Sequence, residues 1–508
     1  MPFITAAIAL VAEVFAVGSF IAGGAGLGAL TIGGIGIGQI ALTAGLFALN
    51  YALTPKNKAT VGAINDPGTR GNTRQAIPPQ RFLYGTVQVG GAICILDDSQ
   101  PPSLVMGLLL CARRIDSVVS AKIGTNTVTF DADRKALNSP YRVGSTAYLR
   151  GSFRLGTSDQ AMDPILKEMF PTLGVEDGPV DTFLQSGHAT AVFEFVYGTD
   201  REHFEALWGQ VAIPNPLVLV KGSLVYDPRD PTQVADDAST WKWSDNATLI
   251  QADWARHPDG VGEKAEDADW EKIAESADYD DELVALKGSG TQKRHTINGV
   301  VTLNQSPRDV MEALLTANRG SLRRSKGRWW IESSKPRDPV ATITDKDIVS
   351  GFDYRDRRPV KEQYNKLRGR FIAPERDYQE ADGPILDRTD LQTEDGEILE
   401  TTIRAPFTDT HQALQRMEKQ FLLESRLGKK WSGSVRLRLL GLDVGNAIRI
   451  SSKIWPQING IYMVENWGFA DDFSAIRLQL REYDKTISTN WNPETDEQDY
   501  ELPEIEAA

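Results

Sequence analysis

The 508-residue chain is too long for one compact core and implies three or four folding units. Its composition, 41% hydrophobic and 24% charged with 11 tryptophans, is that of an ordered globular protein and excludes a disordered or fibrous one. A formal charge of -14 opposes stable binding of a phosphate backbone to the outer surface, while an acidic wall past which DNA slides stays compatible with it.

Between Met1 and Pro55 the only charged side chain is Glu13, and Val14 to Tyr51 carries none, a length ample to cross a bilayer. No Lys or Arg precedes Lys56 and the apolar tract overshoots a signal-peptide core, which disfavours secretion by that route. The tract is dense in glycine from Gly23 to Gly38. Each glycine weakens a lone helix in water by up to about 1 kcal/mol, yet lets apolar helices approach closely. Two apolar helical pieces, Phe3 to Phe20 and Ile40 to Leu53, joined by a glycine-rich turn, are therefore expected. Such sequence suits a membrane or a buried oligomer core equally, and a segment packed in an assembly until its release satisfies both. The candidate membrane or axis contacts are Phe15, Phe20, Ile21, Gly24, Gly28, Gly34, Ile35, Ile37 and Phe47.

A polar linker with Asp66-Pro67-Gly68 and Pro78-Pro79 follows, incompatible with continuous helix. Arg81 to Leu96, broken at Gly90-Gly91, Ser103 to Cys111 and Ser117 to Phe130 read as a small β domain. Ala189 to Tyr197 and Leu217 to Tyr226 read as strands bracketing His203 to Trp208. From Asp227 to Tyr279 the chain is acidic and Trp-rich at helical spacing, so a helical insertion is expected. Ser306-Pro307-Arg308-Asp309 opens a helix through Ala317, and Arg328 to Ile331 follows as a strand. A helix from about Thr408 to Leu427 presents Ala413, Met417, Phe421 and Leu422 on one face. Gly433 to Tyr483 alternates in period two with turns at Gly441, Gly445 and Asn459-Gly460, the pattern of a small antiparallel barrel. The predicted units are an apolar segment 1–55, a linker 56–80, a first β region 81–226, a helical insertion 227–290, an α+β region 291–405, a helix plus closing β-barrel 406–485 and an acidic extended tail 486–508. The fold class is mainly β with α insertions (α+β) and multidomain.

Chemistry-bearing motifs are sparse. The five histidines form no HExxH and pair with no cysteine or carboxylate at ligand spacing, so neither a metal nor any other cofactor is expected. Cys94 and Cys111 lie in apolar runs and read as small buried hydrophobes. No GxSxG or phosphate-binding loop is present. The carboxylates from Glu266 to Asp281, beside Trp270 and Tyr279, are the one place where a glycosidase acid/base pair is conceivable, against the commoner solvated helix face. Arg319, Arg323, Arg324, Lys326 and Arg328 beside Trp329 and Trp330 invite stacking on a single strand of nucleic acid, but the net charge favours a turn and strand edge that meets acidic neighbours in an assembly.

Five stretches in consistent order from about residue 70 to 485 resemble the hub portion of the tail-tip attachment proteins of lambda-like siphophages. They are RQAIPPQRFLYGTVQVGGAICIL at Arg74 to Leu96, VKGSLVYDPRDPTQ at Val220 to Gln233 with WKWSDNATLIQADWARHPDGVG at Trp241 to Gly262, Arg294 to Ile331, YNKLRGRFIAPERDYQ at Tyr364 to Gln379, and LDVGNAIRIS with NGIYMVENW between Leu442 and Trp467. The resemblance implies a non-enzymatic virion protein, made in the bacterial host cytoplasm and placed at the tail tip. It also implies a homotrimer built from small β-barrel domains, which meets the distal tail ring, the C-terminal end of the tape-measure protein and other tip or fibre proteins, with genomic DNA only in transit. The host membrane would be reached through the N-terminal segment, which such hubs do not carry in their best-known version. The chain also stops soon after its closing β domain, without the long C-terminal receptor-binding modules of that version. The competing readings are a membrane-active envelope or pore-forming protein and a cell-wall glycosidase.

Overall fold

The computed structural model describes residues 71–500 apart from 76, 100–101, 172, 174–182, 199–200, 209–213 and 471–472, together with the strands Thr31–Ile32 and Ile35–Gly36. The chain divides into two units, Met1–Lys58 and Ala59–Ala508. In the first, the described backbone is an antiparallel pair with Thr31 opposite Gly36 and Ile32 opposite Ile35. The two helical pieces expected to flank it lie outside the described residues.

The second unit is mostly β, with helices between its sheets, as the hydrophobic patterning predicts. Its first core lies between two sheets. One runs Leu149–Leu155, Ala189–Val196, Ser103–Cys111, Ala92–Asp97, all antiparallel. The other is organised on Pro216–Val225, which pairs with Ile115–Ile123 on one side and with Thr86–Val89 and Lys242–Trp243 on the other. Met106, Leu108, Phe193, Val218 and Val220 fill the space between them. Cys111 is buried there, but Cys94 is exposed, as the residue left unpaired by the register shift between Ile93 and Ile95 in the strand Ala92–Asp97.

The second core is helical. Helix Ala247–Arg256 starts where Asn246 accepts a hydrogen bond from Leu249 N, and helix Trp270–Asp281 where Asp269 accepts from Lys272 N. Helix Pro307–Thr316 has proline in its first turn, where a missing N–H costs nothing. These three pack with the hairpin Ser321–Ser325/Arg328–Glu332 around Trp254, Trp329 and Trp330.

The third core belongs to a six-stranded sheet in the order Ala341–Thr344, Ala447–Ser451, Gly460–Phe469, Ala475–Glu482, Lys430–Arg436, Ile348–Arg355. The patterning of Gly433 to Tyr483 predicts a local antiparallel barrel. The sheet instead recruits two strands from upstream, and Ala341–Thr344 joins Ala447–Ser451 in parallel. Inserted in sequence between the strands Ile348–Arg355 and Lys430–Arg436 of this sheet, Lys366–Ala373 pairs antiparallel with Gln379–Asp382 and in parallel with Glu400–Ala405, and helix His411–Arg426 packs on that smaller sheet. The acidic C-terminal stretch, expected to be extended, carries single helical turns at Thr486–Thr489 and Pro493–Asp496.

One stretch serves two cores. Arg81–Tyr84 pairs with Gly299–Thr302 beside the helical core, whereas Thr86–Val89 pairs with Pro216–Val225 in the first. Gly85 makes the switch at φ +63°, and a Cβ there would run into the Ile297 carbonyl oxygen. Its own carbonyl accepts from Gly222 N at 2.7 Å. A left-handed conformation costs an L-residue roughly 1–2 kcal/mol before any clash is added. Gly85→Ala should therefore destabilise the protein by at least about 2 kcal/mol, read as a lowered unfolding midpoint. An unchanged midpoint would show that the switch tolerates a side chain.

Candidate functional site

Of the nine predicted membrane or axis contacts, only Ile35 falls among the described residues, in the strand Ile35–Gly36 opposite Ile32. The other eight, Phe15, Phe20, Ile21, Gly24, Gly28, Gly34, Ile37 and Phe47, lie outside them. Among the described residues no helix is long and apolar enough to cross a membrane, and no group of three or more His, Cys, Asp and Glu side chains could hold a metal ion.

The groups singled out for chemistry are engaged within the chain. Asp269 caps its own helix, Arg229 bridges Asp227, Asp278 and Asp281, and Glu275 pairs with Lys335. Asp280 is fully buried: Oδ2 accepts from Thr248 N at 2.9 Å, Thr248 Oγ1 at 2.6 Å and Asn318 Nδ2 at 3.1 Å, and Oδ1 from Ser333 Oγ at 2.6 Å. Burial pushes its pKa up to about 6, with those hydrogen bonds opposing the rise. Three members of the basic cluster find acidic neighbours within the chain. Arg319 pairs with Glu424 at 2.5 Å, Lys326 with Asp443 at 2.8 Å, and Arg324 with Glu263. Trp329 and Trp330 are each 1% exposed, so neither offers a face for base stacking.

The joint between the sheet core and the helical core is a buried ion pair. Arg113, just past the apolar strand Ser103–Cys111, donates from Nη1 to Asp253 Oδ2 at 2.6 Å and from Nη2 to Oδ1 at 3.3 Å. Tyr84 donates its hydroxyl to the same Oδ2 at 2.7 Å. Burial disfavours the Asp253 carboxylate, but the Arg113 guanidinium outweighs it and holds the carboxyl below its ordinary range. Burial, reinforced by Asp253, drives the Tyr84 hydroxyl well above its own. Removing one member leaves the other charge buried and alone, at a cost of about 3–5 kcal/mol. Arg113→Ala should lower the unfolding midpoint accordingly, and the double replacement Arg113→Met with Asp253→Leu should cost less than Arg113→Ala alone.

A second polar feature sits on helix His411–Arg426. Glu418 is fully buried against Gly369 and Leu414, and neither of its carboxyl oxygens has a hydrogen-bond partner. Burial pushes its pKa from the ordinary 4.5 to about 8. The C-terminal stretch straps the same helix: Lys419 binds Asp496 Oδ2 and Asn490 O, each at 2.6 Å, and Gln415 exchanges two hydrogen bonds with Gln498. Tyr500 reaches Asp382 O at 2.8 Å, and Glu497 Oε2 accepts from Lys287 N at 3.0 Å. For an acid whose pKa is raised on folding, the folded state retains a proton that the unfolded state has lost, so stability falls with pH between the two values. Wild-type stability should thus decline from about pH 4.5 to about pH 8 through Glu418. Glu418→Gln should match wild type near the lower limit and exceed it near the upper one, as checked by melting temperatures across that window.

A third feature is a seam between the two sheets of the first core. A cleft of ≈580 Å³ opens between the strands Ile115–Ile123 and Leu149–Leu155, lined by Val118, Phe130, Phe153, Arg134 and Arg154 among others. The Phe130 ring lies over Gly151, where a Cβ would collide with it, and meets Phe153 edge-on at 5.7 Å.

Residues 306–467 match the family described as "Putative phage tail protein". No curated protein matches. Among solved structures, a chain from the virion of a native gene transfer agent particle superposes with a TM-score of 0.55 at 14% identity, covering 88% of this chain and 97% of that one. Two crystal structures of tail proteins match less closely. The prophage MuSo2 43 kDa tail protein of Shewanella oneidensis has a TM-score of 0.28 at 10% identity, over 80% of this chain and 95% of that one. The tail protein of Neisseria meningitidis MC58 has a TM-score of 0.30 at 12% identity, over 74% and 98%. The chain therefore shares its fold with a component of a gene transfer agent virion, and its residues 306–467 match the model of a phage tail protein family.

Proposed function

We propose that the chain is a structural, non-enzymatic hub at the tip of a phage-type tail. The observation that carries this reading is the tail-family match at 306–467, which runs from helix Pro307–Thr316 of the second core into strand Gly460–Phe469 of the third. Likeness of fold to a virion chain over 88% of the protein supports it. In this reading three copies surround the tail axis, the distal tail ring sits above them, and the end of the tape-measure protein reaches their lumen. Other tip or fibre proteins contact the host. A charge of -14 lets DNA pass without being held.

The apolar N-terminal tract then packs near the axis in the resting particle and meets the host envelope after triggering. A tract of this length left free in water would drive aggregation, since each large apolar residue buried gains about 1.5–3 kcal/mol. Threefold symmetry offers three glycine-rich tracts a common axis at which to pack. Gold label on a tagged chain is expected at the tail end distal to the capsid, and label along the tube or in the capsid would overturn the hub assignment. Particles lacking Phe3 to Leu53 should assemble and adsorb yet fail to deliver DNA. Normal infection by such particles would refute the penetration role, and an absence of tails would make the tract an assembly core.

A further inference from the structure

We infer that the seam cleft is a strand-addition site for an extended segment of a partner protein in which acidic and apolar side chains alternate. Both walls of the cleft are strand edges. On Ile115–Ile123, the hairpin strand Asn126–Val128 covers only Ala121 to Ile123, so Val118 to Ser120 has no strand paired with it on that side among the described residues. A register shift between Leu219 and Val220 leaves Val119 unpaired as a bulge, half exposed. On Leu149–Leu155, the outward backbone groups are used at Leu149, whose carbonyl accepts from Ala136 N, and at Gly151, whose amide donates to Arg134 O, each at 2.9 Å. Alternation makes Phe153 the next outward position, and no strand pairs with it on that side among the described residues. Unpaired edges of this kind template an added strand, whose main chain supplies affinity while alternate side chains read the groove.

The lining selects the chemistry. Arg134 makes no salt bridge in hydrogen-bond contact among the described residues, although its charge favours the Glu168 carboxylate, and its Nε is buried without a hydrogen bond. It stands at φ +66°, a conformation that an arginine adopts only at a cost and that recurs where a side chain is aimed for a task. Arg154 donates from Nη2 to Met162 O at 3.1 Å, and its Nε is likewise buried and unbonded. The one carboxylate in the lining, Asp131, is already satisfied by Arg142 at 2.8 Å and by Lys135 N at 2.9 Å. The lining itself therefore carries two guanidinium groups against one satisfied carboxylate, with Val118, Phe130 and Phe153 beside them, while Asp163 and Glu168 stand in electrostatic reach of Arg154 and Arg134 outside the lining. A segment that places acidic side chains on one face and apolar ones on the other satisfies both sets, and arginine is the side chain best shaped to take a carboxylate in two hydrogen bonds.

The test uses the full chain and two labelled heptapeptides, acetyl-EVEVEVE-amide and acetyl-KVKVKVK-amide, measured by fluorescence anisotropy. The acidic peptide should bind, the basic one should not, and the double variant Arg134→Gln/Arg154→Gln should weaken binding by about tenfold or more. Hydrogen exchange of wild type gives a second readout independent of any variant: the Val118 to Ser120 and Phe153 amides should slow when the acidic peptide is added. Equal binding of both peptides, no binding of either, or unchanged exchange at those amides would overturn the proposal. So would a change in oligomeric state in the double variant without a change in peptide binding, which would make a second copy the occupant.

Discussion

Everything in the larger unit depends on how one nine-residue stretch, Arg81 to Val89, is divided between two cores. Its first half is an edge of the helical core and its second half a strand of the first sheet core, with Gly85 as the pivot. Two apolar cores tied by a free linker would move relative to one another, because inter-domain contacts of ordinary size permit it. A shared strand removes that freedom, since neither half can shift without breaking main-chain hydrogen bonds of the other. The Arg113–Asp253–Tyr84 cluster stands beside this pivot and spans the same boundary, so the charge pair and the strand reinforce a single joint.

Local features were legible in the sequence because they are written in neighbouring residues. Proline after Ser306 and the 3.6-residue spacing of Ala413, Met417 and Phe421 place helices that the structure bounds at Pro307–Thr316 and His411–Arg426. Partner choice was not legible. Nothing near Ala341 announces a parallel pairing with a strand a hundred residues away, and nothing near Arg81 announces Gly299. Cys94 looks buried because its neighbours are apolar, yet it is the bulged residue of an edge strand, a distinction that only the strand pairing reveals. Glu418 has a readable signal in the sequence, since it shares the apolar face set by Leu414, Phe421 and Leu422.

The polar groups inside the protein fall into two kinds. Asp253 and Glu424 are ionised beside arginines, Arg113 and Arg319, and fasten one element to another. Asp280 and Glu418 are pushed toward the neutral acid by burial. The first kind contributes stability that is lost as pH falls, and the second costs stability as pH rises, so the pH response of the protein is a balance between them. Asp280 offsets its burial with four hydrogen bonds, whereas Glu418 has none, which marks the helix His411–Arg426 and the strap across it as the less settled part of the interior.

The pairing of Arg81–Tyr84 with Gly299–Thr302 also bears on how the protein comes off the ribosome. The first of these strands emerges long before the second, and at about 5–20 residues per second the intervening roughly 200 residues take tens of seconds to synthesise. Over that interval Phe82 and Tyr84, which end up in the helical core, have no core to enter. The nascent chain carries an apolar strand edge that must be shielded by chaperones or by transient non-native partners. Topology alone thus makes this a slow folder whose yield depends on what meets the first half of the chain while it waits for the second.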